Sequence, residues 1–446
     1  MASKLLKNSA CRPACGPPAL RAGMSLFPQP AKTPAFVLGG TLNGLGVARS
    51  LGKRGVPVYV FDRYEDDVAF ASRYVRPVVL PHADDPTRLT EALYRQADAF
   101  EESPVLFVTS DYYLRFASEN REALARRCLM HIPEVEAVNI ATDKTRFAAF
   151  ATAHDLPVPR TFTGSTVRHV ARAGAELRYP ALIKPAFPPD WTRPEFVARF
   201  GRTKAVFVYS RSELIERWRE LRDSGATLLI QEVIPGADDQ TYSYYTYRRP
   251  NGESVGLAVQ KLRIYPIGRG VGTCLRVVEN ADLARIAAKL VSQLDYKGVS
   301  SVCFKKDALT GEYKIYELNG RLPLGHNVFH ACGVDLPYVM YRDALGHRDA
   351  ISPVRTAGQK WVALSLDMPA AWAYWKAGEL TLSGWLRSLA GTKACAEFAI
   401  DDWGPVWFYF RRLLAKARDR LRGRNGSRPG SGGATESWSE KACASN

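Results

Sequence analysis

The chain has 446 residues, 46% hydrophobic and 24% charged, a composition typical of a globular protein with two or three domains rather than a disordered chain. Its formal net charge is +16, but most of that excess lies at its two ends, residues 1–33 and 411–428. The body is close to neutral, so we expect no nucleic-acid partner, and the apolar runs are far shorter than the roughly 20 residues of a transmembrane helix.

Residues 1–33 contain basic residues and no acidic ones, and we predict a disordered extension there. Residues 34–140 have the pattern of a parallel α/β domain. A strand from Ala35 leads through a glycine-rich turn into a helix over 43–53 and a strand over 58–61, which predicts a βαβ unit. The glycine spacing does not match the dinucleotide-binding fingerprint, so we interpret the glycines as a tight turn and disfavour a nicotinamide oxidoreductase.

A further strand is predicted over 105–108, and it ends at Thr109, Ser110 and Asp111. Ligands of open α/β sheets usually bind beyond the carboxyl ends of the strands. Asp111 is therefore a candidate substrate-binding residue.

Residues 141–347 have the pattern of an α+β domain with antiparallel sheets. We divide it into a lobe over 141–235 and a second lobe over 236–347. The predicted helices cover 144–154, 211–223 and 281–294, and the predicted strands cover 181–185, 204–208, 228–232, 299–306 and 313–318. A small α+β region over 348–402 and a basic stretch with a disordered tail over 403–446 follow.

The last predicted strand carries Glu317, Asn319 and Arg321, which alternate onto one face of an extended chain. A carboxylate and an amide oxygen can share a Mg²⁺ ion that also binds nucleotide phosphates. The arginine offers a fixed fork for phosphate or carboxylate oxygens. This combination favours ATP chemistry on a sheet.

The order of these segments resembles the ATP-grasp superfamily, especially its carboxylate–amine ligase branch, and is similar in architecture to biotin carboxylase and carbamoyl phosphate synthetase. The resemblance covers about residues 35–347. It implies a Rossmann-like parallel α/β domain followed by an ATP-grasp fold of two α+β lobes with antiparallel sheets. It also implies an ATP site, whose residues in this sequence are Lys144, Lys184, Lys204, Gln231, Glu232, Ile234 and Asp239, with Asp238 as the alternative to Asp239.

The same resemblance implies that Glu317 and Asn319 hold Mg²⁺, for which Mn²⁺ could substitute. It implies that Arg263 and Arg321 stabilise the transferred phosphate and contact the substrate, with Asp111 nearby. The expected reaction is ATP-dependent joining of a small-molecule carboxylate to an amine, or to a thiol, through an acyl phosphate.

One position departs from the family pattern. The strand before Glu317 reads Val302-Cys303-Phe304-Lys305, and cysteine stands where relatives carry a second acidic residue. Mg²⁺ prefers oxygen ligands, and Asp307 lies about 13 Å further along an ideal strand. The alternative is therefore a weakened or non-catalytic protein that binds nucleotide or acts as a scaffold.

The stretch from Trp403 to Arg424 joins aromatic residues to a cationic run, which suits either peripheral contact with an anionic membrane, at its inner face, or a solvated tail. The eight cysteines form no C-x-x-C pair, which favours a reducing, cytoplasmic location. The sequence leaves a homodimer open.

Overall fold

The structure is a computed structural model that describes residues 33–187, 191, 196–198, 201, 205–355 and 358–421. The strands in these residues form three sheets. The first is parallel and the other two are largely antiparallel, so the predicted mixture of α/β and α+β structure is confirmed. The closer likeness of the N-terminal domain to a Rossmann fold stays a prediction.

The parallel sheet consists of β1 (Ala35–Leu38), β2 (Val58–Asp62), β3 (Val75–Val79) and β4 (Val105–Val108), in the order β3-β2-β1-β4. The accompanying helices are α1 (Leu42–Gly52), α2 (Pro86–Ala97), α3 (Asp111–Glu119), α4 (Arg121–Ala125) and α5 (Val135–Thr142). The glycine turn after β1 is tight: Gly39 has φ +111°, and a Cβ on Gly44 would lie 2.0 Å from the Gly39 carbonyl oxygen. This close approach agrees with a structural role for the glycines.

The second sheet consists of β5 (Thr161–Thr163), β6 (Ala181–Pro185), β7 (Val206–Val208) and β8 (Leu228–Glu232), in the antiparallel order β5-β8-β6-β7. Helix α6 (Lys144–Ala153) precedes it, and α7 (Val167–Glu176) and α8 (Arg211–Leu221) contribute to its core. Side chains of β6 alternate between core and cleft, since residues 181, 183 and 185 are buried and 182 and 184 are not.

The third sheet has seven strands: β9 (Thr241–Arg248), β10 (Ser254–Tyr265), β11 (Val271–Val278), β12 (Gly298–Lys306), β13 (Tyr313–Asn319), β14 (Lys360–Val362) and β15 (Thr392–Cys395). Their order is β13-β12-β9-β10-β11-β14-β15. The sequence pattern assigns residues 348–402 to a region of their own, but β14 and β15 extend the central sheet by pairing β14 with β11. The domain boundary at residue 348 stays a prediction, and strand pairing continues across it.

The remaining helices are α9 (Ala281–Gln293), α10 (Val328–Ala331), α11 (Leu336–Ala344), α12 (Leu364–Lys376), α13 (Leu382–Leu389) and α14 (Gly404–Leu421). Helix α14 contacts the N-terminal domain, where Arg412 pairs with Asp66 at 3.1 Å. The buried Arg49 and Asp402 form a second link at 2.8 Å. Among the described helices, none has the length and hydrophobicity to cross a membrane.

Candidate active site

A cleft of about 500 Å³ lies between the second sheet and the central sheet. One wall includes Leu182, Lys184 and Gln231 from β6 and β8, and the opposite wall includes side chains of β9, β12 and β13. The two sheets therefore hold between them most of the described residues that the sequence assigned to separate motifs.

Two lysines converge at one end of the cleft. Lys144 is the first residue of α6, which the Asp143 carboxylate caps, and its backbone N–H donates to the Ala186 carbonyl oxygen just beyond β6. The Lys184 Nζ donates to Gln231 Oε1 at 2.8 Å. Desolvation of the Lys184 amine, with the Lys144 charge beside it, lowers the pKa of Lys184 to about 7, and Glu317 opposes this shift. An anion placed here would restore the positive charge of Lys184.

The predicted hinge residues form the adjoining wall. Gln231, Glu232 and Ile234 line the cleft and are buried. The Glu232 carboxylate accepts hydrogen bonds from the Arg178 backbone N–H at 2.9 Å and from its guanidinium at 3.3 Å. The carboxylate of Glu232 is thus engaged with Arg178.

Two further ATP-site expectations have different outcomes. Lys204 lies outside the described residues. Asp239 is exposed and is not among the residues that line the cleft, and its role in ATP binding stays a prediction. The neighbouring Asp238 lines the cleft instead, because it lies in the 3-10 turn before β9 with Oδ2 accepting from the Gly268 N–H and the Tyr374 hydroxyl.

The structure does not place Arg263 in the cleft. Its guanidinium is buried on the other side of the central sheet, where it donates to both carboxylate oxygens of Asp367 at 2.8 Å and to Ser388 Oγ at 2.7 Å. The physical reason is a β-bulge in β10 around Arg263, which breaks the alternation of side chains. Lys261 lies in the cleft wall, and its Nζ donates to the Tyr316 hydroxyl at 2.9 Å.

Glu317, Asn319 and Arg321 all line the cleft, as their spacing predicts. Glu317 Oε1 lies 3.8 Å from Lys144 Nζ, which links the metal end of the cleft to the lysine end. The buried Arg321 donates from Nη2 to Asn319 Oδ1 at 3.1 Å. The arrangement places one carboxylate, one amide oxygen and two cationic groups, those of Lys144 and Arg321, close together at this end of the cleft.

Asp111 lies close to this group without lining the main cleft. Its Oδ1 is 3.4 Å from Arg321 Nε, and it borders a small adjoining cavity beside Glu317 and Asn319. Substrate contact by Asp111 stays a prediction, and in this structure the carboxylate of Asp111 forms an ion pair that can orient Arg321.

Cys303 pairs directly with Glu317 in the β12–β13 ladder and lines the cleft. Its Sγ contacts Ser243 Oγ and Asn319 Nδ2, each at 3.5 Å. Asp307 does not compensate, since it is buried in an ion pair with Lys314 at 2.7 Å. Within the described residues, no cluster of three or more His, Cys, Asp or Glu side chains could hold a metal on its own.

No protein-family model matches the chain. A D-aspartate ligase from Enterococcus faecium is 23% identical over 305 residues, covering 64% of this chain and 70% of the relative. A carbamoyl phosphate synthase large chain from Methanothermobacter thermautotrophicus is 26% identical over 199 residues, which are 42% of this chain and only 18% of the relative's length. An ADP complex of N5-carboxyaminoimidazole ribonucleotide synthetase superposes with TM-score 0.58 at 15% identity, covering 76% of this chain and 83% of that one.

The chain has the ATP-grasp fold. The sequence resemblance to this superfamily is confirmed, including the similarity to carbamoyl phosphate synthase.

Several residues of the ATP-grasp cleft were not assigned to the site from the sequence. They are Lys261, Lys305 and Tyr316. Tyr316 reaches the cleft because a bulge follows Cys303 in the β12–β13 pair, so residues 316 and 317 both lie in the wall. Burial lowers the pKa of Lys305, and Asp238 opposes that shift. The sequence does indicate Lys305, because it is the last residue of the segment Val302-Cys303-Phe304-Lys305 that matches the family pattern.

Proposed function

We propose that this chain is an ATP-dependent ligase that joins a small-molecule carboxylate to an amine through an acyl phosphate. The observation that carries the proposal is the convergence of Lys144, Lys184 and Glu317 at one end of the cleft. Two cationic amines facing a carboxylate form a site for a metal-bound polyphosphate. The similarity to a D-aspartate ligase supports this choice of reaction among ATP-grasp activities.

The donor set of the cleft fits a Mg²⁺ ion. Glu317 supplies carboxylate oxygens and Asn319 an amide oxygen, and Mg²⁺ commonly takes only one or two carboxylates because phosphates and water complete its shell. When bound, the ion would neutralise phosphate charge. Glu317 and Asn319 are the residues that would hold it.

The protein's own groups position the reactants and offset charge. Lys144 and Lys184 would bind the phosphates of ATP. A substrate carboxylate oxygen bonds to the γ-phosphorus while the bond to the bridging oxygen breaks, which releases ADP. The amine nitrogen then bonds to the acyl carbon, phosphate departs with the C–O bonding electrons, and the amine proton passes to phosphate or water. Arg321, held by Asn319 and Asp111, would stabilise the acyl phosphate.

The proposal is tested by measuring phosphate release from ATP with pairs of small carboxylates, amino acids and amines. We expect one pair to stimulate release strongly. With that pair, Lys184→Ala and Glu317→Ala should each lower the rate by at least about 100-fold, because each removes a group that binds the phosphates or their metal. Lys297→Ala, outside the cleft, is the control. Full turnover in Glu317→Ala would refute the metal assignment.

The comparisons do not favour the alternative of a non-catalytic nucleotide-binding protein, because the similar proteins are ligases or synthetases. The alternative rests on Cys303, and replacing this residue distinguishes an active ligase from a non-catalytic nucleotide-binding protein. We expect Cys303→Glu to give no gain in ATP turnover over Cys303→Gln, which has nearly the same volume without the charge. A large gain in the Glu variant alone would instead indicate a degraded metal site.

The cytoplasmic location and the homodimer remain predictions from the sequence. The cysteines described by the structure, at 128, 274, 303, 332 and 395, are all free thiols, which is compatible with a reducing compartment.

A further inference from the structure

Helix α14 exposes an apolar stripe on the side that faces away from the N-terminal domain. The stripe consists of Trp403, which directly precedes the helix, and of Trp407, Phe410 and Leu414 within it. These residues follow one another at the spacings of a single helix face. Trp407 is 59% exposed, although large aromatic side chains are usually buried. The opposite side of α14 packs against the protein through Phe408 and Tyr409.

A second stripe lies on α12 and consists of Leu364, Met368, Trp372 and Trp375, which are again all exposed. The Trp372 and Trp375 rings are 4.7 Å apart. Met368, Trp372 and Trp375 lie four, eight and eleven residues after Leu364, so the four side chains share one face of the helix.

The two stripes are joined by residues 397–403. The Glu397 carboxylate accepts the Leu364 and Ser365 backbone N–H groups at 3.0 and 2.9 Å, and so fixes the start of α12. The next residue, Phe398, packs edge-on against Trp403 with ring centroids 5.1 Å apart. Ile400 between them is 83% exposed. We refer to the two stripes together with Phe398 and Ile400 as the aromatic surface.

The polar side of the same region is strongly basic. Arg411 and Arg418 are exposed on α14 beside the apolar stripe, Lys416 is exposed on the other side of the helix, and the only acidic residue of that helix is Asp419. The sequence continues with four more arginines up to residue 428 and no acid. Lys376 lies over the Trp372 ring at 5.2 Å, which brings another cation to the edge of the aromatic surface.

We propose that the aromatic surface and the basic side of α14 form a docking site for an anionic phospholipid bilayer. Tryptophan and phenylalanine beside arginine and lysine match the boundary between acyl chains and anionic headgroups. An 18-residue helix is about 27 Å long and suits a position in the plane of the interface. A second copy of the chain is a poorer occupant, because a symmetric contact through α14 would bring two basic helices together.

The test is flotation of the full-length chain with vesicles of phosphatidylcholine alone and of phosphatidylcholine mixed with phosphatidylglycerol. We expect binding to the mixed vesicles, weakening as salt is added, and little binding to phosphatidylcholine. Replacing Trp407 and Phe410 by serine should weaken binding by roughly tenfold or more through loss of apolar contact. Reversing charge with Arg411→Glu and Arg418→Glu should weaken it by a similar factor.

Matched controls use equally exposed side chains elsewhere. Leu309→Ser changes an apolar residue that is 70% exposed in the β12–β13 hairpin, and Arg168→Glu changes an exposed cation on α7. Both should bind mixed vesicles like the unchanged chain, and nucleotide binding by every variant reports whether the fold is intact.

Absence of binding to the mixed vesicles, or equal binding to both vesicle types, would overturn the proposal. So would a dimer that dissociates on replacement of Trp407 and Phe410 while no vesicle binding is seen, because the surface would then belong to a second copy.

Discussion

Lys184 is the cleft residue whose charge changes near neutral pH. Its pKa in the protein is lowered to about 7 from an ordinary value of 10.5, first by desolvation and then by Lys144. Between these two pH values the unfolded chain holds the proton more strongly than the folded protein. The free energy of unfolding therefore increases with pH across that window. The part of the increase that comes from Lys184 should be lost in Lys184→Met.

Nucleotide binding should reverse the shift, because phosphate oxygens favour the charged amine. We expect binding of ADP at pH 8 to take up a proton, approaching about one per site, and binding at pH 6 to take up much less. Isothermal calorimetry in buffers of different ionisation enthalpy measures this number directly.

Lys184→Met should abolish the uptake, whereas Lys297→Met, which changes a lysine outside the cleft, should retain it. Proton release at pH 8, or unchanged uptake in Lys184→Met, would contradict the assignment of Lys184 to the phosphates.

The bulge in β10 decides which basic side chain of that strand faces the cleft. Ideal alternation places residues 261 and 263 on one face, and from the sequence alone Arg263 is the stronger phosphate ligand. The observed register shifts on either side of Arg263 turn its guanidinium toward Asp367. The bulge lies in the pairing with the next strand, β11, but the Asp367 carboxylate that binds the Arg263 guanidinium is 104 residues away, so the local sequence does not reveal which face Arg263 takes.

This placement predicts a structural rather than catalytic effect. Arg263→Met should lower the free energy of unfolding by about 3 kcal/mol or more, because it leaves the buried Asp367 carboxylate with only the Thr273 hydroxyl and the Trp385 indole as donors. Urea unfolding measures the change, and nucleotide affinity should be nearly unchanged.

Arg285→Met provides the comparison, since Arg285 forms an exposed ion pair with Asp282. Its effect should stay below about 1 kcal/mol. An Arg263→Met protein of normal stability that has lost turnover would restore a catalytic role for Arg263.

Elements with local signals were predicted well. Helices α6, α8 and α9 begin where the sequence indicates, because Asp143, Ser210 and Asn280 cap their first turns. Strand β3 was not predicted, since Arg76 and Pro77 interrupt its apolar pattern. Its edge position accounts for the proline, because an edge strand can lose a backbone donor at little cost.

At the scale of the whole molecule, the order of the motifs was enough to predict the fold, and Glu317, Asn319 and Arg321 do share the cleft. The extension of the central sheet by β14 and β15 could not be predicted, because pairing between β11 and β14 joins strands more than 80 residues apart. Short strands of three and four residues carry too little pattern to indicate such a partner.

Helix α12 carries contacts of two kinds on opposite faces. On its inner face the Tyr374 hydroxyl donates to Asp238 Oδ2 at 2.7 Å, and the same oxygen receives the Gly268 N–H of the cleft loop. On its outer face lie Trp372 and Trp375. If a ligand in the cleft shifts α12, and the outer face binds its own ligand differently in the two positions of the helix, the two sites are coupled, and by thermodynamic reciprocity each ligand changes the binding free energy of the other by the same amount.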